Sequence, residues 1–286
     1  MTNHLPFIKR YPVIIYYILT FAISFGGFLL VGSSGLFAGT NWETDPSFQI
    51  AVLAMLAGPP IASILLTILL SGKPGLRELF LRLSRWRTSA RWYMDALVIA
   101  PFWQVLVLLI LSIFSPEFLP AILKTNDKIP LLLPGIIVGI VGGFVEELGW
   151  TGFAIPRLLK RYNALTTGII VGILWGVWHL LQMTWVGVSS YAPVAPTVFL
   201  PVYFISSIAA LTAFRVLMVR VYEHTESLFL EVIMHASYIF STLFVFAGPI
   251  KGVPFLIYSC AFAATLWITV AFVMKRGGFE KVVLVK

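Results

Sequence analysis

Charge is what this chain has least of: 11% of its 286 residues are Asp, Glu, Lys or Arg, where a soluble domain carries about 25%. So few polar side chains cannot cover a globule of this length, and 59% of the residues are hydrophobic. A mean hydropathy of +0.94 makes the bilayer the natural solvent. A lone cysteine, Cys260, sits inside an apolar run, which excludes a disulfide framework and a thiolate zinc site. The pattern HExxH does not occur, so a zinc site of that helical kind is excluded as well. No repeat, low-complexity tract or soluble second domain is legible, and residues 1–286 read as one integral-membrane domain.

What is present is a series of long apolar runs. A helix needs about 20 apolar residues to cross the hydrocarbon core. Eight runs qualify, at roughly 11–32, 48–71, 93–115, 130–155, 164–185, 197–218, 227–247 and 253–274. The first follows Lys9 and Arg10. It exceeds the apolar core of a signal peptide, about 7–15 residues, and reads as an uncleaved transmembrane helix. The expected fold class is all-α and polytopic, with about eight transmembrane helices.

The net charge of +8 does not point to nucleic acid, because the basic residues lie between apolar spans. With the N-terminus placed in the cytoplasm, 17 basic residues fall on the inner side and only Lys124, Lys128 and Lys251 on the outer. Arg215 and Arg220 are counted among the inner ones. This alternation predicts both termini in the cytoplasm. One inner segment, Lys73 to Arg91, is basic and partly amphipathic, with Leu76, Leu79, Phe80 and Leu83 at helical spacing. It reads equally as an interfacial helix on an anionic leaflet or as a solvated loop.

Ionisable groups inside a membrane cost at least about 2.5–3.5 kcal/mol each on insertion scales, so the deep ones are candidates for function. They are Glu146 and Glu147 in the fourth run, His179 in the fifth, and Glu231 and His235 in the seventh. Gly135, Gly139 and Gly143 form a four-residue stripe that leads to Glu147, and Gly168, Gly172 and Gly176 form another that leads toward His179. Small-residue stripes let helices approach closely in lipid. If the two face each other, a Glu146 or Glu147 carboxylate meets His179. Helix rise places Glu146 roughly 16 Å and His235 roughly 13 Å from the same membrane face, with His179 at roughly 22 Å unless its helix is tilted or kinked.

A carboxylate beside an imidazole in a low-dielectric pocket suits the activation of water, and a second histidine there suits the developing oxyanion. That is the chemistry of peptide hydrolysis. Two histidines and a carboxylate also form a known zinc set, so Glu146, His179 and His235 are the ligands if a metal is present. Zn²⁺ and no cofactor both remain open at this point.

The segment Glu146–Leu158 (EELGWTGFAIPRL) resembles the first motif of the CAAX-protease and bacteriocin-processing family, called CPBP or Abi. Trp175-Gly-Val-Trp-His179 is similar to its second motif and His235-Ala236-Ser237 to its third. The motif-bearing half spans about 130–247. The resemblance implies an eight-helix membrane endopeptidase in which Glu146 and His179 activate water and His235 serves the oxyanion or a metal. Glu147 joins the catalytic set, and Arg157 and Trp175 support it. The implied substrates are prenylated proteins in eukaryotes and peptides or membrane proteins in bacteria. The implied setting is the bacterial cytoplasmic membrane, with the lipid bilayer and a peptide or membrane-protein substrate as partners and no nucleic acid.

Two positions depart from the family pattern. Thr151 stands where an arginine is common, and Arg157 is the expected substitute for its charge; Ile239 stands where asparagine is common and removes an oxyanion donor. Plainer readings stand beside each assignment. Glu147 would pair with Arg157 or a backbone group, Glu231 would be a helix-end carboxylate reaching water, and Trp150, Trp175 and Trp178 would be packing residues. The histidines would be interhelical ties, which contribute about 0.6 kcal/mol each in membranes. At the level of function, the alternatives are a catalytically inactive scaffold or immunity protein and a proton-coupled transporter.

Overall fold

The computed structural model describes residues 5–191, 194–248, 250–277 and 279. The described residues contain helix and no strand, as lipid requires of a chain that must satisfy its backbone groups within each span. The main helices are α1 Pro12–Ala38, α2 Pro46–Leu56, α3 Gly58–Leu83, α4 Ala90–Ser112 and α5 Ile129–Gly149. They are followed by α6 Ala164–Trp178, α7 Leu180–Val188, α8 Pro196–Thr225, α9 Leu228–Ile239 and α10 Gly252–Lys275. Among the described residues, seven helices are long and apolar enough to cross a membrane, and α6 with α7, bent by 47°, makes up to eight. The chain is an all-α integral membrane protein.

Local chemistry sets the helix limits. The Asn163 side chain accepts from the Thr166 amide to open α6, and Ser227 accepts from the Leu230 amide to open α9. Gly39 closes α1 in the left-handed region at φ 64°, a conformation that glycine adopts without strain. Inside α3, Gly72 at φ 58° and ψ −149° breaks the helix, and Lys73–Leu83 runs on in a new direction. The basic segment is therefore helical as far as Leu83 and irregular up to Ser89.

Two helices end in π turns, Trp150–Ala154 after α5 and Phe240–Val245 after α9. Such turns often mark functional sites because they displace the backbone ladder by one residue. Pro156 has no N–H to give the Gly152 carbonyl four residues back; Arg82 Nη2 supplies that hydrogen at 3.0 Å. Ser63 on α3 similarly donates to the Leu148 carbonyl at 2.7 Å.

The helix α8 is the most enclosed of the spans and packs between α6 and α10, while α5 lies along α9. Both glycine stripes are interhelical contacts, but they do not face each other. A Cβ on Gly139 would sit 2.8 Å from the Ala236 carbonyl oxygen and one on Gly143 2.8 Å from that of Val232, both on α9. The other stripe meets α8: a Cβ on Gly168 or Gly172 would lie 2.5 or 2.6 Å from the Cα of Val216 or Thr212. The expected encounter of α5 with α6 is thus replaced by two separate close pairs, α5 with α9 and α6 with α8.

Candidate active site

The α5 stripe delivers Glu147 to a histidine, and that histidine is His235. Its Nδ1 lies 2.8 Å from Glu147 Oε1. A carboxylate oxygen only accepts, so Nδ1 carries the proton in this bond. The other oxygen, Oε2, accepts from Arg215 Nη1 at 2.8 Å and from Thr151 Oγ1 at 2.5 Å. Glu147, Arg215 and Thr151 are all fully buried. Three donors from three helical elements leave this carboxylate fixed in place, with its charge matched by a guanidinium.

Glu146 is next along the chain and differently held. Its Oε2 accepts from two indole N–H groups, Trp175 at 2.7 Å and Trp150 at 3.2 Å. Its Oε1 is 3.9 Å from His235 Nε2, too far for a hydrogen bond. Adjacent carboxylates thus have two environments, one saturated by a cation and one held by neutral donors with an oxygen facing an imidazole. Paired carboxylates with divergent surroundings are a recurrent arrangement in acid–base sites.

Trp175 links the parts. Its ring lies 5.0 Å from the His235 ring and 5.6 Å from that of His179, both edge-on, and the Arg215 guanidinium sits over it at 4.2 Å. Its carbonyl accepts from His179 Nδ1 at 2.9 Å, so Nδ1 is protonated there and Nε2 keeps its lone pair. His179 occupies the break between α6 and α7, the kink that its greater expected depth called for. Trp178 packs edge-on against His179 at 4.8 Å, and Tyr16 and Tyr17 of α1 pack on Trp150.

Three expectations need correction. The cation on Glu147 is Arg215; Arg157 instead donates to the Phe153 carbonyl at 2.9 Å and lies over the Phe153 ring. Arg215 therefore belongs to the membrane interior and leaves the set of loop cations used for orientation. Its signal was present, because it falls inside the apolar run 197–218, where an arginine needs an internal partner. Glu231 does not reach water: it is fully buried, and neither carboxyl oxygen has a hydrogen-bond partner among the described residues.

Residues 128–241 match a family model described as type II CAAX prenyl endopeptidase Rce1-like. This stretch of the chain is similar to that family. A curated relative, CAAX prenyl protease 2 of Methanococcus maripaludis, is 32% identical over 68 residues, which are 24% of this chain and 24% of that protein. The aligned part thus spans about a quarter of that relative's length. The matched segment contains Glu146, Glu147, Thr151, Trp175, His179, Arg215 and His235, so every residue of the cluster lies within it.

Among the described residues no three His, Cys, Asp or Glu side chains are arranged to hold an ion. Glu147 is committed to Arg215 and both indoles occupy one Glu146 oxygen, and Glu146, His179 and His235 are not among the described residues placed to hold an ion.

Proposed function

We propose that the chain is an intramembrane endopeptidase that hydrolyses a peptide bond of a membrane-associated or prenylated-type substrate with water activated by Glu146. The observation that carries this reading is the division of labour between neighbouring glutamates. Glu147, locked by Arg215 and Thr151, orients the imidazole of His235 through Nδ1. Glu146 presents Oε1 toward His235 Nε2.

In this mechanism Glu146 takes a proton from water as the oxygen attacks the carbonyl carbon, with the free Nε2 lone pair of His179 as second acceptor. His235 acts in this mechanism with both ring nitrogens protonated, Nδ1–H on Glu147 and Nε2–H donated to the oxyanion. The C–N bond then breaks, and the proton held by Glu146 passes to the leaving nitrogen, giving an acid and an amine. Low dielectric around the cluster strengthens each of these interactions. The bacterial cytoplasmic membrane, with both termini on its inner side, is the setting that fits the distribution of basic residues between spans.

The test is cleavage of a membrane-peptide and prenyl-peptide library by purified protein, with and without chelator. Glu146→Gln keeps an acceptor for both indoles and removes the base. Abolished cleavage supports the reading; undiminished cleavage in both Glu146→Gln and His179→Ala would discard it. The inactive-scaffold alternative has one observation in its favour. Ile239 Cδ1 packs at 2.9 Å from where a Cβ on Gly142 would sit, an apolar contact with no donor to offer. Full function in cells with Glu146→Ala would favour that alternative.

A further inference from the structure

The basic segment Lys73–Arg91 is not used by the chemistry above, yet it touches both elements that carry it. On its inner side, Leu79 is buried against the π turn that follows Glu147: a Cβ on Gly152 would lie 2.8 Å from Leu79 Cδ1. Arg82 reaches the same turn, donating to the Gly152 carbonyl at 3.0 Å and to Tyr222 Oη at 3.0 Å. Three residues on, the Arg85 carbonyl accepts from Ser227 Oγ at 2.5 Å, and Ser227 is the cap of the helix bearing His235. The Arg85 guanidinium also pairs with Glu226. One short segment thus clasps the end of α5 and the start of α9.

The outer side of the segment has the opposite character. Lys73, Arg77, Arg87 and Arg91 are exposed, and so are Phe80 at 61%, Trp86 at 56% and Leu81 at 46%. A shallow surface depression of about 450 Å³ is lined by Arg77, Phe80, Leu81, Leu83 and Ser84, one cation among mainly apolar side chains. The one acidic residue in the segment, Glu78, is engaged with Arg82 and Arg85. Exposed cations interleaved with apolar and indole side chains match a leaflet of anionic lipid in both charge and hydrophobicity.

We propose that Lys73–Arg91 is a docking surface for anionic phospholipid and that lipid held there fastens the clasp on the π turn after Glu147 and on the cap of α9. The break at Gly72 makes this possible, because it turns the segment away from the line of its membrane span. The occupant is committed to a phospholipid headgroup with its acyl chain, since the depression offers an exposed cation and exposed apolar side chains together.

Two measurements on the full chain test the proposal, and neither depends on proteolysis. The first is binding of fluorescent phosphatidylglycerol and phosphatidylcholine to the detergent-solubilised protein. Phosphatidylglycerol is expected to bind more tightly, with about a fivefold loss for each of Arg77→Gln, Arg87→Gln and Arg91→Gln, the factor that one basic residue near an anionic surface contributes. Equal affinity for the two lipids, or a preference untouched by the triple variant, would overturn the docking surface. The second is amide hydrogen exchange in nanodiscs of either lipid. Slower exchange at 150–154 and 227–230 in phosphatidylglycerol, lost in the triple variant, is expected. Unchanged exchange there, with the binding preference intact, would overturn the link to the clasp. Because all three substitutions are on exposed side chains outside the cluster, a failed proteolysis assay would leave both results interpretable.

Discussion

Arg215 Nη1 lies 2.8 Å from Glu147 Oε2, and both side chains are fully enclosed although 68 residues separate them in the chain. This pair joins α8 to α5 and, through His235, to α9. Removing one partner strands the other charge in a low-dielectric interior, a loss of about 3–5 kcal/mol. Arg215→Met should therefore unfold much more easily in a detergent titration than the native protein. Arg215→Met combined with Glu147→Leu should recover a large part of that loss, since apolar replacement of both members of a buried pair is often near neutral. An Arg215→Met variant as stable as the native chain would remove the pair's structural role.

Glu231 offers the contrast. It is as buried as Glu147, yet its oxygens have no hydrogen-bond partner among the described residues. Replacing it forfeits no such bond, so Glu231→Met should change stability by no more than about 1 kcal/mol, or increase it. A loss comparable to that of Glu147→Met in the same titration would show that Glu231 has a binding partner of its own.

The close approach of α5 to α9 predicts a graded response to added methyl groups. Gly143→Ala and Gly139→Ala bring a Cβ against backbone carbonyls of α9 and should each cost about 1–3 kcal/mol. At Gly26 a Cβ meets nothing within 4 Å. Gly26→Ala should be neutral or stabilise by up to about 1 kcal/mol, as alanine is the better helix former. Thermal unfolding of the three variants side by side decides the matter.

Indole donation to Glu146 can be tested separately from the carboxylate itself. Glu146→Gln should lower kcat by about 10²–10⁴ if the carboxylate is the base. Trp175→Phe removes one N–H from Glu146 Oε2 at 2.7 Å and leaves the ring in place. A hydrogen bond to a charged group contributes about 1.5–3 kcal/mol, so kcat should fall roughly 10- to 100-fold with KM little changed. A change confined to KM would assign Trp175 to substrate binding.

Asp45, just ahead of α2, provides a pH dependence outside the membrane spans. Hydrogen bonds from Thr40 Oγ1 at 2.6 Å and from the Ser47 hydroxyl and amide hold its carboxyl below the usual value. Because the folded value is lowered, Asp45 stabilises the fold above the ordinary aspartate range, and the contribution disappears as pH falls through the lowered value. Asp45→Asn should flatten that acid part of the stability curve while leaving neutral-to-basic behaviour parallel. An unchanged acid limb in thermal unfolding would show that Asp45 titrates alike in both states.

The sequence by itself determined the solvent and the fold class, and it singled out four ionisable members of the cluster. Runs of about 20 apolar residues leave a helix in lipid as the only way to satisfy the backbone. Glu146, Glu147, His179 and His235 were legible because an ionisable group inside such a run is costly and therefore informative. Tertiary structure decided which groups meet. Glycine stripes show that a helix face is close-packed without naming its partner, and here they joined α5 to α9 and α6 to α8. Arg215 lies inside an apolar run, but only the packing of α8 against α6 carries its guanidinium to Glu147 and makes it the counter-charge expected of Arg157. Glu231 shows the same limit: position near a helix end suggested water, whereas neighbouring helices enclose it completely. Periodicity and hydropathy are properties of one helix, but charge pairing and burial depend on what the next helix places against it.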